Sequence, residues 1–231
     1  YKTKLINIMK KLKYCGLTRH EDIQQAVALG VDAIGLVFYP PSPRAVSIEQ
    51  AKQLAQAVPA FTSLVALVVN ISDDELKTIV RSVAVDVIQF HGDESPDECQ
   101  RQASLVNKRW IKALRIDATR HTPTSILALI CEYQTAGASS ILLDAYHADK
   151  FGGTGERFDW SLIPTDSPLP IILAGGLTPD NVAMTADLPV YALDVSGGIE
   201  SAKGIKDAQK MAEFAKNANG ISANKNASKN C

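Results

Sequence analysis

The chain has 231 residues, with 24 Lys and Arg against 25 Asp and Glu for a net charge of −1. That length suits one large domain; 46% hydrophobic and 21% charged residues exclude wholesale disorder, and near-neutrality gives no general attraction for nucleic acid or an anionic membrane. No apolar run approaches the roughly 20 residues that span a bilayer, so a soluble protein is expected.

The basic start, Tyr1 to Lys13, has no long apolar stretch before a small-residue cleavage site, so it does not read as a secretory signal. An organellar leader stays open, because the first residue is not Met. Cys15, Cys99, Cys131 and Cys231 are too scattered for a disulfide scaffold or a zinc cluster. A reducing, cytoplasmic setting with free thiols is expected.

Continuous runs rich in Val, Ile and Leu mark strands at Leu12–Cys15, Ala33–Phe38, Ser63–Val69, Val85–Phe90, Trp110–Leu114, Ser140–Asp144, Pro170–Leu173 and Val190–Val195. Such runs suit parallel strands covered on both faces. Helical spacing falls between them: Glu21–Leu29, stopped by Gly30; Ile48–Ala57, capped by Ser47; and a helix to Ser82 opened by a Ser72/Glu75 capping box. Others start at Ser95-Pro96 and cover Thr124–Thr135, Thr178–Ala186 and, approximately, Lys203–Asn217. After Asp144 a long loop, Ala145–Phe158, leads to a short candidate helix. Eight βα units in about 220 residues predict a (β/α)8 barrel in a single α/β domain, residues 12–218. A doubly wound sheet would want a phosphate loop after its first strand, and no GxGxxG or P-loop stands there. Residues 1–11 form a basic extension, and the polar stretch 219–231 is expected to be a disordered tail.

In such a barrel the residues just past the strand ends carry the chemistry. Gly175-Gly176 and Ser196-Gly197-Gly198 follow strands seven and eight, where bare backbone amides commonly hold a phosphate. Either pair alone reads as a turn; both at these positions point to a phosphorylated small molecule. Cys15 is by composition a small buried hydrophobe, but at the mouth its thiolate can serve as base or nucleophile. Cys99 and Cys131 read as packing residues. Asp144 closes the apolar run Ile141-Leu142-Leu143, where desolvation would keep it protonated as a general acid; capping the next loop is the alternative. Asp194 adjoins the phosphate loop and suits orienting a substrate hydroxyl or the loop itself. Arg44, in a Pro-stiffened loop, is either solvated or paired with a substrate carboxylate. His91 is an acid, a base, a ligand or a residue held by its own loop. His147 with Asp144 and Asp149 lacks any metal-ligand spacing, so no metal is expected.

At these residues the sequence resembles the phosphoribosylanthranilate isomerases, (β/α)8 enzymes of tryptophan biosynthesis. The resemblance rests on Lys13-Tyr14-Cys15-Gly16-Leu17-Thr18, Gly35-Leu36-Val37-Phe38 with Ser42-Pro43-Arg44, and Gln89-Phe90-His91-Gly92. It continues through Leu142-Leu143-Asp144, Gly152-Gly153-Thr154-Gly155 with Phe158-Asp159-Trp160, Ala174-Gly175-Gly176-Leu177, Asp194 to Glu200, and Gly204-Ile205-Lys206-Asp207. Their joint order, from about Leu12 to Ala218, is specific where each motif alone is weak. The resemblance implies Cys15 as general base, Asp144 as general acid and Arg44 against the anthranilate moiety. It implies a cofactor-free Amadori rearrangement of N-(5-phosphoribosyl)anthranilate. Where the family often has Ser-Ser-Gly this chain has Ser196-Gly197-Gly198, and Ala202-Lys203-Gly204 replaces a frequent Pro-Gly. A metal-dependent phosphosugar epimerase, an indole-glycerol-phosphate synthase or a non-catalytic phosphate-binding barrel are the alternatives. Neither a metal-binding His/Asp set nor a Lys/Glu set stands out, and the presence of both Cys15 and Asp144 argues against a non-catalytic barrel. No surface stripe suggests an oligomer, so a monomer is expected.

Overall fold

The computed structural model describes residues 9–145 and 159–227, with backbone alone for 221–227. Eight parallel strands close on themselves in sequence order: β1 (Lys11–Cys15), β2 (Ala33–Val37), β3 (Ser63–Val68), β4 (Val87–Phe90), β5 (Arg109–Ile116), β6 (Ser140–Ala145), β7 (Ile171–Leu173) and β8 (Ala192–Val195). The closing seam pairs β1 with β8 in the register Lys13 to Asp194. The (β/α)8 reading therefore stands. The Gly152–Gly155 loop, Phe158, His147, Asp149, most of the basic extension and Cys231 lie outside the described residues.

Helices α1 (His20–Ala28), α2 (Ile48–Ala55), α3 (Asp73–Ser82), α4 (Pro96–Val106), α5 (Pro123–Thr135) and α6 (Ala208–Ala227) wrap the barrel. Their starts follow local chemistry. The hydroxyls of Ser47, Ser72, Ser95 and Thr122 each accept the backbone N–H three residues on, and Pro occupies the first turn of α4 and α5. Alternate residues of each strand turn outward, so Leu12, Tyr14, Phe90, Trp110, Leu143 and Leu193 join one core between barrel and helices. The inward set is split into a lower layer around Ile111, Leu142, Ile172 and Ala192 and an upper layer of Cys15, Val37, Leu67 and Val69. Arg44, His91, Asp144 and Asp194 border the upper layer. The seam is locked from outside, where Tyr14 donates to the Met211 carbonyl at 2.7 Å and meets Phe214 edge-on.

Two expected helices differ. In place of Thr178–Ala186 there is only a 3-10 turn at Val182–Thr185. The Asn181 side chain accepts from the Thr178 N–H and donates to the Gly176 carbonyl, which satisfies these groups locally and competes with an α-helix. The last helix starts at Ala208, not Lys203, because a small antiparallel hairpin intervenes, β9 (Glu200–Ala202) with β10 (Ile205–Lys206), turning at Gly204. Asp207 then caps α6 by accepting the Lys210 N–H. The α6 backbone stays helical to Ala227, so Asn219–Ala227 extends an already nucleated helix instead of leaving it. No helix among the described residues is long and apolar enough to cross a membrane.

Candidate active site

Strand periodicity of two sends Lys13 and Cys15 of β1, Gln89 of β4 with His91 just beyond it, Asp144 of β6 and Asp194 of β8 to the barrel interior, near its C-terminal mouth. The structure gathers the sequence candidates into adjoining cavities. One, of about 260 Å³, is lined by Asp144, Gly175, Gly176, Asp194 and Ser196–Gly198. The other, of about 50 Å³, is lined by Cys15, Arg44, His91, Asp144, Asp194 and Ser196. Asp144, Asp194 and Ser196 belong to both.

The larger cavity is built from backbone. Gly175 and Gly176 have φ of 79° and 68°, a region side-chain-bearing residues rarely adopt. Gly197–Ile199 forms a 3-10 turn, and Gly198 presses against the β7 loop so closely that a Cβ there would lie 1.9 Å from the Leu177 carbonyl oxygen. Gly175 and Gly176 thus set backbone direction, Gly175 also lies close against Ala145, and Gly198 lets the two loops touch.

Cys15 is 4% exposed at the end of β1. Burial pushes its thiol above the ordinary range; the Lys13 ammonium pulls the other way, Asp194 adds to the rise and Lys206 opposes it. Lys13 itself donates to Asp194 at 2.7 Å in a nearly dry ion pair. Burial disfavours its charge, but Asp194 and the neighbouring thiol outweigh that and raise its pKa. Asp194, expected to orient substrate or the phosphate loop, thus spends one oxygen on Lys13.

Asp144 Oδ1 accepts the N–H of Ala145 at 2.9 Å, leaving Oδ2 3.4 Å from His91 Nε2. His91 is oriented by Gln89, whose Nε2 lies 2.9 Å from Nδ1. With the amide donating, Nδ1 accepts and the ring proton sits on Nε2, which has no hydrogen-bond partner among the described residues and faces Asp144. His91 is therefore held by its strand and aimed at the carboxyl.

Arg44 is buried, and its fork grips Glu200: Nε donates to Oε1 at 2.7 Å and Nη2 to Oε2 at 2.8 Å. Lys206 also donates to Glu200 at 2.9 Å and reaches the Ser196 carbonyl at 3.1 Å, while Ser196 Oγ donates to the Cys15 carbonyl at 3.0 Å. Burial disfavours the Glu200 charge, but Arg44 and Lys206 hold its carboxyl below the usual range. The hairpin beyond β8 thus ties the strand-two loop, the loop at Ser196 and Cys15 together. Lys13, Glu200 and Lys206 were missed as site residues. Lys13 was findable, two residues before Cys15 on the same strand face; Glu200 was not, because its partner Arg44 lies 156 residues away.

Comparison with known proteins agrees with this geometry. The family model described as "N-(5'phosphoribosyl)anthranilate (PRA) isomerase" matches residues 12–217. An N-(5'-phosphoribosyl)anthranilate isomerase of Acinetobacter calcoaceticus is 49% identical over 205 residues, 88% of this chain and 94% of that protein. The crystal structure of the phosphoribosyl anthranilate isomerase from Thermotoga maritima superposes with a TM-score of 0.81 at 32% identity, covering 92% of this chain and 100% of that one. A structure of such an isomerase in complex with reduced 1-(o-carboxyphenylamino)-1-deoxyribulose 5-phosphate superposes with a TM-score of 0.78 at 32% identity, again over 92% and 100% of the two chains. With the family pattern spanning every barrel strand and nearly the whole length of its relatives covered, this chain belongs to the phosphoribosylanthranilate isomerase family.

Proposed function

We propose that the enzyme carries out its family's Amadori rearrangement with Asp144 as general acid and Cys15 as general base. The substrate is N-(5-phosphoribosyl)anthranilate and the product 1-(2-carboxyphenylamino)-1-deoxyribulose 5-phosphate. The observation that carries the assignment is that Cys15 and Asp144 line one cavity whose neighbour is walled by the Gly175-Gly176 and Gly197-Gly198 backbone. The substrate phosphate lies against those amides, which puts the ribose between thiol and carboxyl.

Asp144 gives its proton to the furanose ring oxygen as the bond from that oxygen to C1′ breaks. The anthranilate nitrogen supplies the electron pair and a Schiff base forms. The cationic imine acidifies C2′, and the Cys15 thiolate takes that proton to leave an enolamine, which tautomerises to the ketone. His91 Nε2–H, aimed at Asp144, steadies the carboxylate left after the first transfer. Arg44 meets the anthranilate carboxylate with Nη1, the fork nitrogen that Glu200 leaves over. No step calls for a metal or an organic cofactor. The free thiols of Cys15, Cys99 and Cys131 suit a reducing, cytoplasmic setting.

Each proton-transfer group contributes on the order of 10²–10⁴ in rate. Cys15→Ala and Asp144→Asn are therefore expected to lose turnover by that factor and to fail in complementing a tryptophan auxotroph that lacks this step. Near-normal turnover by either folded variant would remove that residue from its role.

A further inference from the structure

The Lys13 ammonium has no place in the proton transfers above, yet it is one of the most deeply buried charges of the barrel. Its location is specific. A Cβ built on Gly35, the residue opposite Cys15 on β2, would fall 2.8 Å from Cys15 Sγ and 3.2 Å from Lys13 Nζ. Thiol and ammonium therefore share the space that Gly35 leaves empty, and any side chain at position 35 would displace them. From the opposite side Asp194 fixes the ammonium at 2.7 Å. Above it Cys15 is packed with Val37, Leu67 and Val69, surroundings that give a thiolate no solvation of their own.

We propose that Lys13 is a positioning residue for the reaction: held by Asp194 beneath Cys15, its ammonium supplies the counter-charge that lets the thiol ionise and act as base. The inference rests on the reading of Cys15 as that base. The sign agrees with the charges around the thiol. Lys13 and Lys206 favour the thiolate, whereas Asp194 and burial oppose it. Arg44, His91 and Asp144 are the other ionisable groups lining the same cavity. Asp194 therefore has two effects, keeping Lys13 charged while partly offsetting its pull on the thiol.

The test is the pH dependence of Cys15 alkylation by iodoacetamide, read residue by residue by mass spectrometry in the folded protein, alongside the pH profile of kcat/KM. Lys13→Met, of similar length and without charge, is expected to move both profiles to higher pH by about one to two units. It should also lower kcat/KM at pH 7 at least tenfold, and Lys13→Arg should restore much of the shift. Lys13→Gln, likewise uncharged, is expected to shift the alkylation profile in the same direction as Lys13→Met. An alkylation profile unmoved by Lys13→Met overturns the proposal. Should Lys13→Met fail to fold, an alkylation profile unmoved by Lys13→Gln does the same. Because alkylation does not depend on turnover, a shift here with full activity in Cys15→Ala would overturn the catalytic reading of Cys15 and leave the pairing with Lys13 standing.

Discussion

Gly198→Ala is the substitution whose outcome the proposed phosphate site determines most directly. The added methyl would lie 1.9 Å from the Leu177 carbonyl oxygen, 2.9 Å from its carbon and 3.2 Å from Thr178 Cα, all backbone atoms that no rotamer change can move. That is ~1.5 Å short of ordinary contact, so the loops after β7 and β8 must separate by an amount of that order. In the proposed binding mode the Gly175-Gly176 and Gly197-Gly198 amides meet the phosphate from two sides, so parting these loops spoils both halves of the cradle. Overpacking of this kind costs roughly 1–3 kcal/mol of stability. A misplacement of about 1 Å costs on the order of 10² in kcat/KM. The expected result is a KM for the phosphorylated substrate raised far more than kcat is lowered, with competitive inhibition by inorganic phosphate weakened in parallel. Gly220→Ala serves as control: position 220 is exposed on α6 with nothing within 4 Å of a new Cβ, so activity stays unchanged and helix propensity raises stability by up to about 1 kcal/mol. Gly198→Ala with KM and phosphate inhibition within twofold of the parent would refute the assignment of the anion to these loops.

Two other outcomes follow from the same geometry. Because burial pushes the Cys15 thiol above its ordinary range, kcat/KM should keep rising with pH into the alkaline region, and Cys15→Ala should abolish that rise along with most of the rate. Glu200→Gln leaves Arg44 and Lys206 facing each other without their shared carboxylate, a loss of about 3 kcal/mol by the precedent of broken buried pairs. Since the folded-state pKa of Glu200 is depressed, its contribution is present above the unfolded value near 4.5 and lost as pH falls through the folded value. The gap in thermal midpoint between parent and Glu200→Gln should therefore be full at neutral pH and close as the pH falls below the unfolded value near 4.5; a constant gap would show that packing, not charge, is what the substitution removes.

The barrel was legible because its strands are short apolar runs separated by helices with explicit caps, and because the chemistry of a barrel gathers at known ends of those strands. Cys15, Asp144 and the glycine pairs were found by position alone. What escaped has a common physical cause. The partner of Arg44 is set by tertiary closure, and nothing near Glu200 in the chain names an arginine. The β9–β10 hairpin is only a few residues long, below the length at which alternation registers, so Gly204 was its one trace. At Asn181 a side chain replaced the backbone partners a helix would need, which made the helical spacing of Thr178–Ala186 misleading. Lys13 differs from these, because its alternation with Cys15 on β1 already puts both side chains on one strand face.

The β1–β8 seam has a consequence for how the enzyme comes into being. Lys13 and Asp194, joined across it, are separated by 181 positions in the chain, and Ser196 reaches Cys15 across the same gap. During synthesis the first strand must wait, with one edge uncovered, until almost the entire polypeptide has emerged. Pairings this distant in sequence are slow to form, so the thiol's surroundings are among the last parts of the molecule to mature. A prematurely released chain lacking β8 would carry an open strand edge, a liability for self-association.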